Sequence, residues 1–154
     1  MILVVIAVAV CLSTSAPQSR PDFSGAWSKV RASAEEPVEM MTVSQNGDTL
    51  IVERTVPSSK IVRLFYKLNG SENRNAYVQG HPPREVVELS TVSWRDNSLV
   101  FTSSGRSNED GAVVIRATWS LDGGTLVIHT VETSQTYLEV LRESAVRYSK
   151  VRQG

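Results

Sequence analysis

After Pro17 the chain falls into short runs in which apolar and polar residues alternate, cut at intervals by Gly, Asn and Asp. A period of two is the mark of a strand with one packed and one solvated face. It is clearest over 112–121, where Val113, Ile115, Ala117, Trp119 and Leu121 share one face and Val114, Arg116, Thr118 and Ser120 the other. Over 60–68, Val62, Leu64, Tyr66 and Leu68 oppose Ile61, Arg63, Phe65 and Lys67. The pattern predicts strands near 23–31, 38–45, 48–56, 60–68, 73–79, 85–95, 98–105, 112–121, 125–133, 136–141 and 144–151. No stretch of a dozen residues keeps a helical period. Only Thr136 to Arg142 suits a short helix as well as a strand.

The breaks carry hairpin chemistry. Asn46-Gly47-Asp48 and Asn69-Gly70 suit turns that need positive φ. Arg95-Asp96-Asn97 and Asp122-Gly123-Gly124 each separate two β-rich runs, and Glu109-Asp110-Gly111 ends a longer polar loop that begins near Gly105. Tight turns without a long crossover predict an all-β fold, an antiparallel up-and-down meander of about 8–10 strands. A meander of that size either closes into a barrel or folds over as a sandwich. Closure is the expectation, because it removes exposed edges.

The N-terminus follows a different pattern. Met1 to Leu12 are unbroken apolar residues, followed by Ser13-Thr14-Ser15-Ala16-Pro17. The run is shorter than the roughly 20 residues a membrane-spanning helix needs. A short apolar run ending in small residues predicts a signal peptide over 1–15, although no Lys or Arg precedes it. Cleavage after Ser15 suits better than after Ala16, where Pro17 would flank the scissile bond. The expected organisation is a signal peptide at 1–15, a flexible lead-in at 16–22 and a β-domain at 23–154, exported to the periplasm or secreted. Cys11, the only cysteine, falls inside the apolar run and leaves with it; lipid attachment there would want a small residue where Val10 stands. The domain then has neither disulfide nor thiol chemistry. Sixteen basic residues balance sixteen acidic ones, with no block of one sign. That argues against a nucleic-acid partner, and nothing after residue 15 suggests membrane insertion.

Candidate chemistry is sparse. His81 lies in the turn Gly80-His81-Pro82-Pro83 and His129 lies mid-strand. A metal site needs three or four ligands, and a catalytic His needs a nucleophile and an orienting group; neither spacing occurs. The carboxylate pairs Glu35-Glu36 and Glu109-Asp110 fall in expected loops. Ser103-Ser104-Gly105 lacks the following helix of a nucleophile elbow, and the Gly-rich turns lack the strand-to-helix setting of a phosphate cradle. Asn69-Gly70-Ser71 fits a glycosylation acceptor but is more simply a hairpin turn. No catalytic residue, cofactor or metal ligand is expected.

One local motif stands out: Asp22-Phe23-Ser24-Gly25-Ala26-Trp27. Gly25-x-Trp27 on the first strand resembles the lipocalin signature. The mature chain also resembles a group of uncharacterised exported bacterial proteins with lipocalin-like domains. They begin F-S-G-x-W, continue through a Q-x-G-D hairpin (Gln45 to Asp48) and carry a late stretch matching Trp119 to Leu126. The chain lacks the Thr-Asp-Tyr loop motif, the disulfide and the final helix of typical lipocalins. The resemblance implies a barrel whose closed end is plugged by Gly25 and Trp27, with a cation from the last strand, Arg147 or Arg152, across the indole. The interior of such a barrel holds side chains or one small ligand. The expected function is the binding of a small apolar or amphipathic molecule, without catalysis. The expected lining is Val62, Leu64, Tyr66, Leu89, Phe101, Ile115 and Trp119. The alternative is a structural or interaction β-domain of the cell envelope with a filled core, and an internal cavity separates the two.

Overall fold

Ten strands follow one another, each antiparallel to its neighbours: β1 Gly25–Lys29, β2 Met40–Asn46, β3 Thr49–Thr55, β4 Ile61–Lys67, β5 Asn69–Gln79, β6 Arg84–Arg95, β7 Ser98–Ser107, β8 Gly111–Asp122, β9 Thr125–Ser134 and β10 Val140–Lys150. This computed structural model describes residues 19–55, 61–80, 82–107 and 111–151, with the side chains of Gln79 and Ser107 left aside. The expected signal sequence with Cys11, and also His81, Glu109-Asp110 and Arg152, lie outside the described residues.

The sheet order is β4-β3-β2-β1-β10-β9-β8-β7-β6-β5. Every chain neighbour but β4 and β5 is paired, and β1 joins β10, so the meander curls into a nearly closed ten-stranded barrel. No helix occurs among the described residues. Thr136 and Tyr137 lie in a turn, and the two strands expected at 136–141 and 144–151 are one strand, β10, with a register shift between Val140 and Arg142. The turn is braced by Ser134, which is fully buried and whose Oγ accepts from the N–H groups of Thr136 and Tyr137.

The alternation read from the sequence is the inside–outside pattern of the barrel. In β4, Val62, Leu64 and Tyr66 are buried while Ile61, Arg63, Phe65 and Lys67 are exposed. Inward residues of adjacent strands meet in register: Val43 pairs with Val52, and Val52 with Leu64.

The end reached by the β2–β3, β4–β5, β6–β7 and β8–β9 turns is closed. Phe23, Trp27, Leu50, Leu68, Leu99 and Leu126 fill it and are almost wholly buried. Trp27 Nε1 donates to the Phe23 carbonyl at 2.9 Å, and the Phe23 ring lies tilted against Trp94, 6.1 Å between ring centres. Gln45 of the Q-x-G-D hairpin fastens the entering chain: its Oε1 accepts from Phe23 N and its Nε2 donates to the Pro21 carbonyl. Arg20 lies 5.2 Å from the centre of the Trp94 ring, so residues 20–22, expected as a flexible lead-in, are held against the closed end.

Between β4 and β5 the ladder is made by side chains. Asn75 Oδ1 accepts from Phe65 N at 2.8 Å while its Nδ2 donates to Phe65 O at 3.1 Å. Asn73 does the same for Lys67, at 2.7 and 3.3 Å. A carboxamide carries the same donor and acceptor as a peptide group, so two buried asparagines replace the missing rungs.

Candidate functional site

Above the plug the inward residues leave a cavity of about 370 Å³ that opens toward the other end of the barrel. Its volume falls in the range of small-molecule sites, roughly 300–1,000 Å³. Aromatic rings form a connected floor. Phe101 lies 4.8 Å from Trp119 and 5.2 Å, edge-on, from Tyr66, and Trp119 in turn meets Phe23 of the plug at 6.3 Å. Met41, Val52, Leu64, Ile115, Ile128 and Val146 supply aliphatic wall.

Glu39, Arg54, Tyr66, Glu88 and Tyr148 face this apolar space in an ordered group. Tyr66 of β4 donates its hydroxyl to Glu88 of β6 at 3.0 Å, reaching across the seam. On the other side Tyr148 of β10 donates to Glu39, just before β2, at 2.9 Å, and Lys29 lies 3.7 Å from the same carboxylate. Burial pushes the Tyr66 phenol well above its ordinary range, with the charge of Glu88 and the hydrogen bond to it adding to the effect. Burial, the hydrogen bond to Glu39 and its charge do the same for Tyr148. Both phenols therefore stay protonated donors. Arg54 of β3 lies close enough to oppose both shifts. Its Nε is buried without a hydrogen-bond partner, and among the described residues its guanidinium makes no ion pair.

Of the lining expected from the sequence, Leu64, Tyr66, Phe101, Ile115 and Trp119 surround the cavity. Val62 is buried on the inner face of β4 but is not part of the cavity wall. Leu89 is a correction. It is 44 % exposed on the outer face of β6, because Glu88, Ser90, Val92 and Trp94 are the inward set of that strand. At the plug, Trp27 is 1 % exposed, but Arg147 does not lie over it. Arg147 points outward and pairs with Asp122 at 3.4 Å. The cation over Trp27 is Lys150, 5.5 Å from the ring centre and the register partner of Trp27. Gly25 is required by this arrangement: its φ is +145°, and a Cβ there would stand 2.6 Å from Lys150 Cε.

His129 is far from the cavity chemistry, on the outer face, 2.7 Å from Glu143 with both side chains substantially exposed. Among the described residues no three His, Cys, Asp or Glu side chains gather as they would around a metal ion. The ionisable lining residues that sequence reasoning missed are Glu39, Arg54, Glu88 and Tyr148. Arg54 and Glu88 were findable by phase, since Arg54 continues the inward series Leu50, Val52 and Glu88 precedes Ser90, Val92.

No protein-family model matches the chain, and neither does any curated protein. Solved structures do. Zebrafish ileal bile acid-binding protein, in complex with cholic acid, superposes with a TM-score of 0.57 at 16 % identity, covering 84 % of this chain and 98 % of that one. Lipid binding protein 8 of Caenorhabditis elegans, without ligand, superposes with a TM-score of 0.52 at 15 % identity, covering 84 % and 95 %. At these identities the likeness is one of fold: this chain has the near-closed ten-strand barrel of both.

Proposed function

We propose that this chain is an exported carrier that holds one small apolar or amphipathic molecule inside its barrel and performs no chemistry on it. The observation that supports the reading most is the mainly apolar cavity of about 370 Å³ on a rigid, plugged floor. A molecule entering it loses apolar surface to water at roughly 25 cal/mol per Å² before the costs of association. A preformed barrel keeps those costs low, because few groups need ordering on binding. The names of the structural neighbours, one holding cholic acid and one a lipid binding protein, agree with this class of ligand. The plug of Phe23, Gly25 and Trp27 agrees with membership of the exported F-S-G-x-W group.

Native mass spectrometry of the protein purified from its own host, followed by thermal shift against fatty acids, isoprenoids and aromatic compounds, tests this. The expected results are an adduct mass of a few hundred daltons and a stabilisation of about 2.7 kcal/mol at a ligand concentration a hundred times Kd. Neither an adduct nor a shift in any class would move the assignment to a structural envelope domain. The same measurement on the exported protein gives its N-terminus; a mass that still includes Met1 to Ser15 would remove the export reading.

A further inference from the structure

We propose that Arg54 is the head-group receptor of the cavity and that the molecule it selects is apolar with a single anionic group, such as a carboxylate. The proposal rests on the carrier reading above and gives it a ligand class.

The argument is one of unequal hydrogen bonding. Three ionisable side chains other than tyrosine line the same cavity: Glu39, Glu88 and Arg54. Both carboxylates are already served. Glu88 accepts from the Tyr66 hydroxyl at 3.0 Å, and Glu39 accepts from Tyr148 at 2.9 Å and has the Lys29 ammonium 3.7 Å away. Arg54 is not served: its Nε is buried without a partner, and no carboxylate of the described residues lies within ion-pair distance of its guanidinium. A half-buried cation whose Nε is sealed from water without a hydrogen-bond partner is costly to the fold. An incoming anion would remove that cost and gain a charge-assisted, bidentate hydrogen bond that a guanidinium is shaped to make. The tyrosines engage the two glutamates on either side of Arg54. Each holds a glutamate by a neutral hydroxyl and leaves the cation between the two pairs available to a ligand. The wall below Arg54, with Val52, Leu64 and Phe101, takes the apolar remainder.

The test is equilibrium binding of dodecanoate, dodecanol and dodecyltrimethylammonium, three molecules with one tail and different heads, each below its micelle concentration, followed by tryptophan fluorescence at pH 7. Wild-type protein is expected to bind dodecanoate about tenfold or more tightly than dodecanol, and the ammonium weakest. Arg54→Met should bind dodecanoate and dodecanol alike, with dodecanol affinity kept, and Arg54→Lys should keep part of the preference. Because Arg54 makes no ion pair among the described residues and its Nε has no hydrogen-bond partner, Arg54→Met should melt no lower than wild type. Equal binding of dodecanoate and dodecanol by wild type overturns the Arg54 assignment and leaves the carrier reading standing. Preference for the ammonium assigns the head group to Glu39 and Glu88 and overturns it as well. Binding of none of the three overturns both. A sharply lower melting temperature for Arg54→Met would make Arg54 part of the fold, against the proposal; the wild-type series decides independently of any variant.

Discussion

Trp27 is the residue on which the closed end turns. It is only 1 % exposed, bonded through Nε1 to Phe23 and covered by Lys150, whose side chain crosses above Gly25. Trp27→Ala should destabilise by about 3–5 kcal/mol, the range for large aromatic truncations in a core, measured by urea unfolding. The two cations of β10 should separate cleanly. Lys150→Ala should cost about 0.5–1 kcal/mol through the lost cation–π contact. Arg147→Ala should cost within about 0.5 kcal/mol, because its pair with Asp122 is solvent-exposed. Equal losses for the two would contradict the placement. The motif made the tryptophan and its glycine legible in sequence, because both constraints are local to one strand. The identity of the cation was not legible. It depends on which β10 residue lies opposite Trp27, and that register is set by the whole β9–β10–β1 pairing. Leu89 shows the limit from the other side. In the middle of β6 the inward positions are Glu88 and Ser90 while Val87 and Leu89 point outward, so polarity and direction are opposed there and an apolar residue does not mark the interior.

At the scale of the elements, strand existence and most turns followed from alternation and turn chemistry, while the partners of the first and last strands and of β4 and β5 did not. Asn73 and Asn75 look like ordinary strand-weakening residues in a sequence, since asparagine is depleted in strands. Their role appears only when β4 ends its ladder beside them and its N–H and C=O groups at Phe65 and Lys67 need partners. Asn75→Leu should leave both backbone groups of Phe65 unpaired beside a buried apolar side chain. We expect a loss of about 1–3 kcal/mol and faster hydrogen exchange at the Phe65 amide, with the β8–β9 amides still protected. Unchanged exchange at Phe65 would mean that the seam is held by something other than the carboxamides.

For the molecule as a whole, the tyrosines and the cavity each give a testable behaviour. Tyr66 and Tyr148 have folded-state pKa values raised above the unfolded value of 10.0. Their contribution is therefore fully present below about pH 10 and is lost as the pH rises, because the unfolded chain releases two phenolic protons that the folded one retains. Melting temperature should fall between about pH 10 and 11.5, and the double variant Tyr66→Phe, Tyr148→Phe should flatten that fall. Identical slopes would place the alkaline sensitivity elsewhere. The second behaviour decides between carrier and solid core. Ala117 lies on the inward face of β8, paired with Phe101 and between Ile115 and Trp119, and it lines the cavity. In a core at ordinary packing density, Ala117→Leu would force its neighbours apart and cost about 1–3 kcal/mol. Over a cavity of about 370 Å³ the added atoms have room and gain contacts, so stability should hold or rise. The same leucine occupies space a ligand tail needs, so dodecanoate binding should weaken by about tenfold. Stability kept with binding lost is the signature of a barrel that keeps an interior for a guest; stability lost would show that the interior is built to be full.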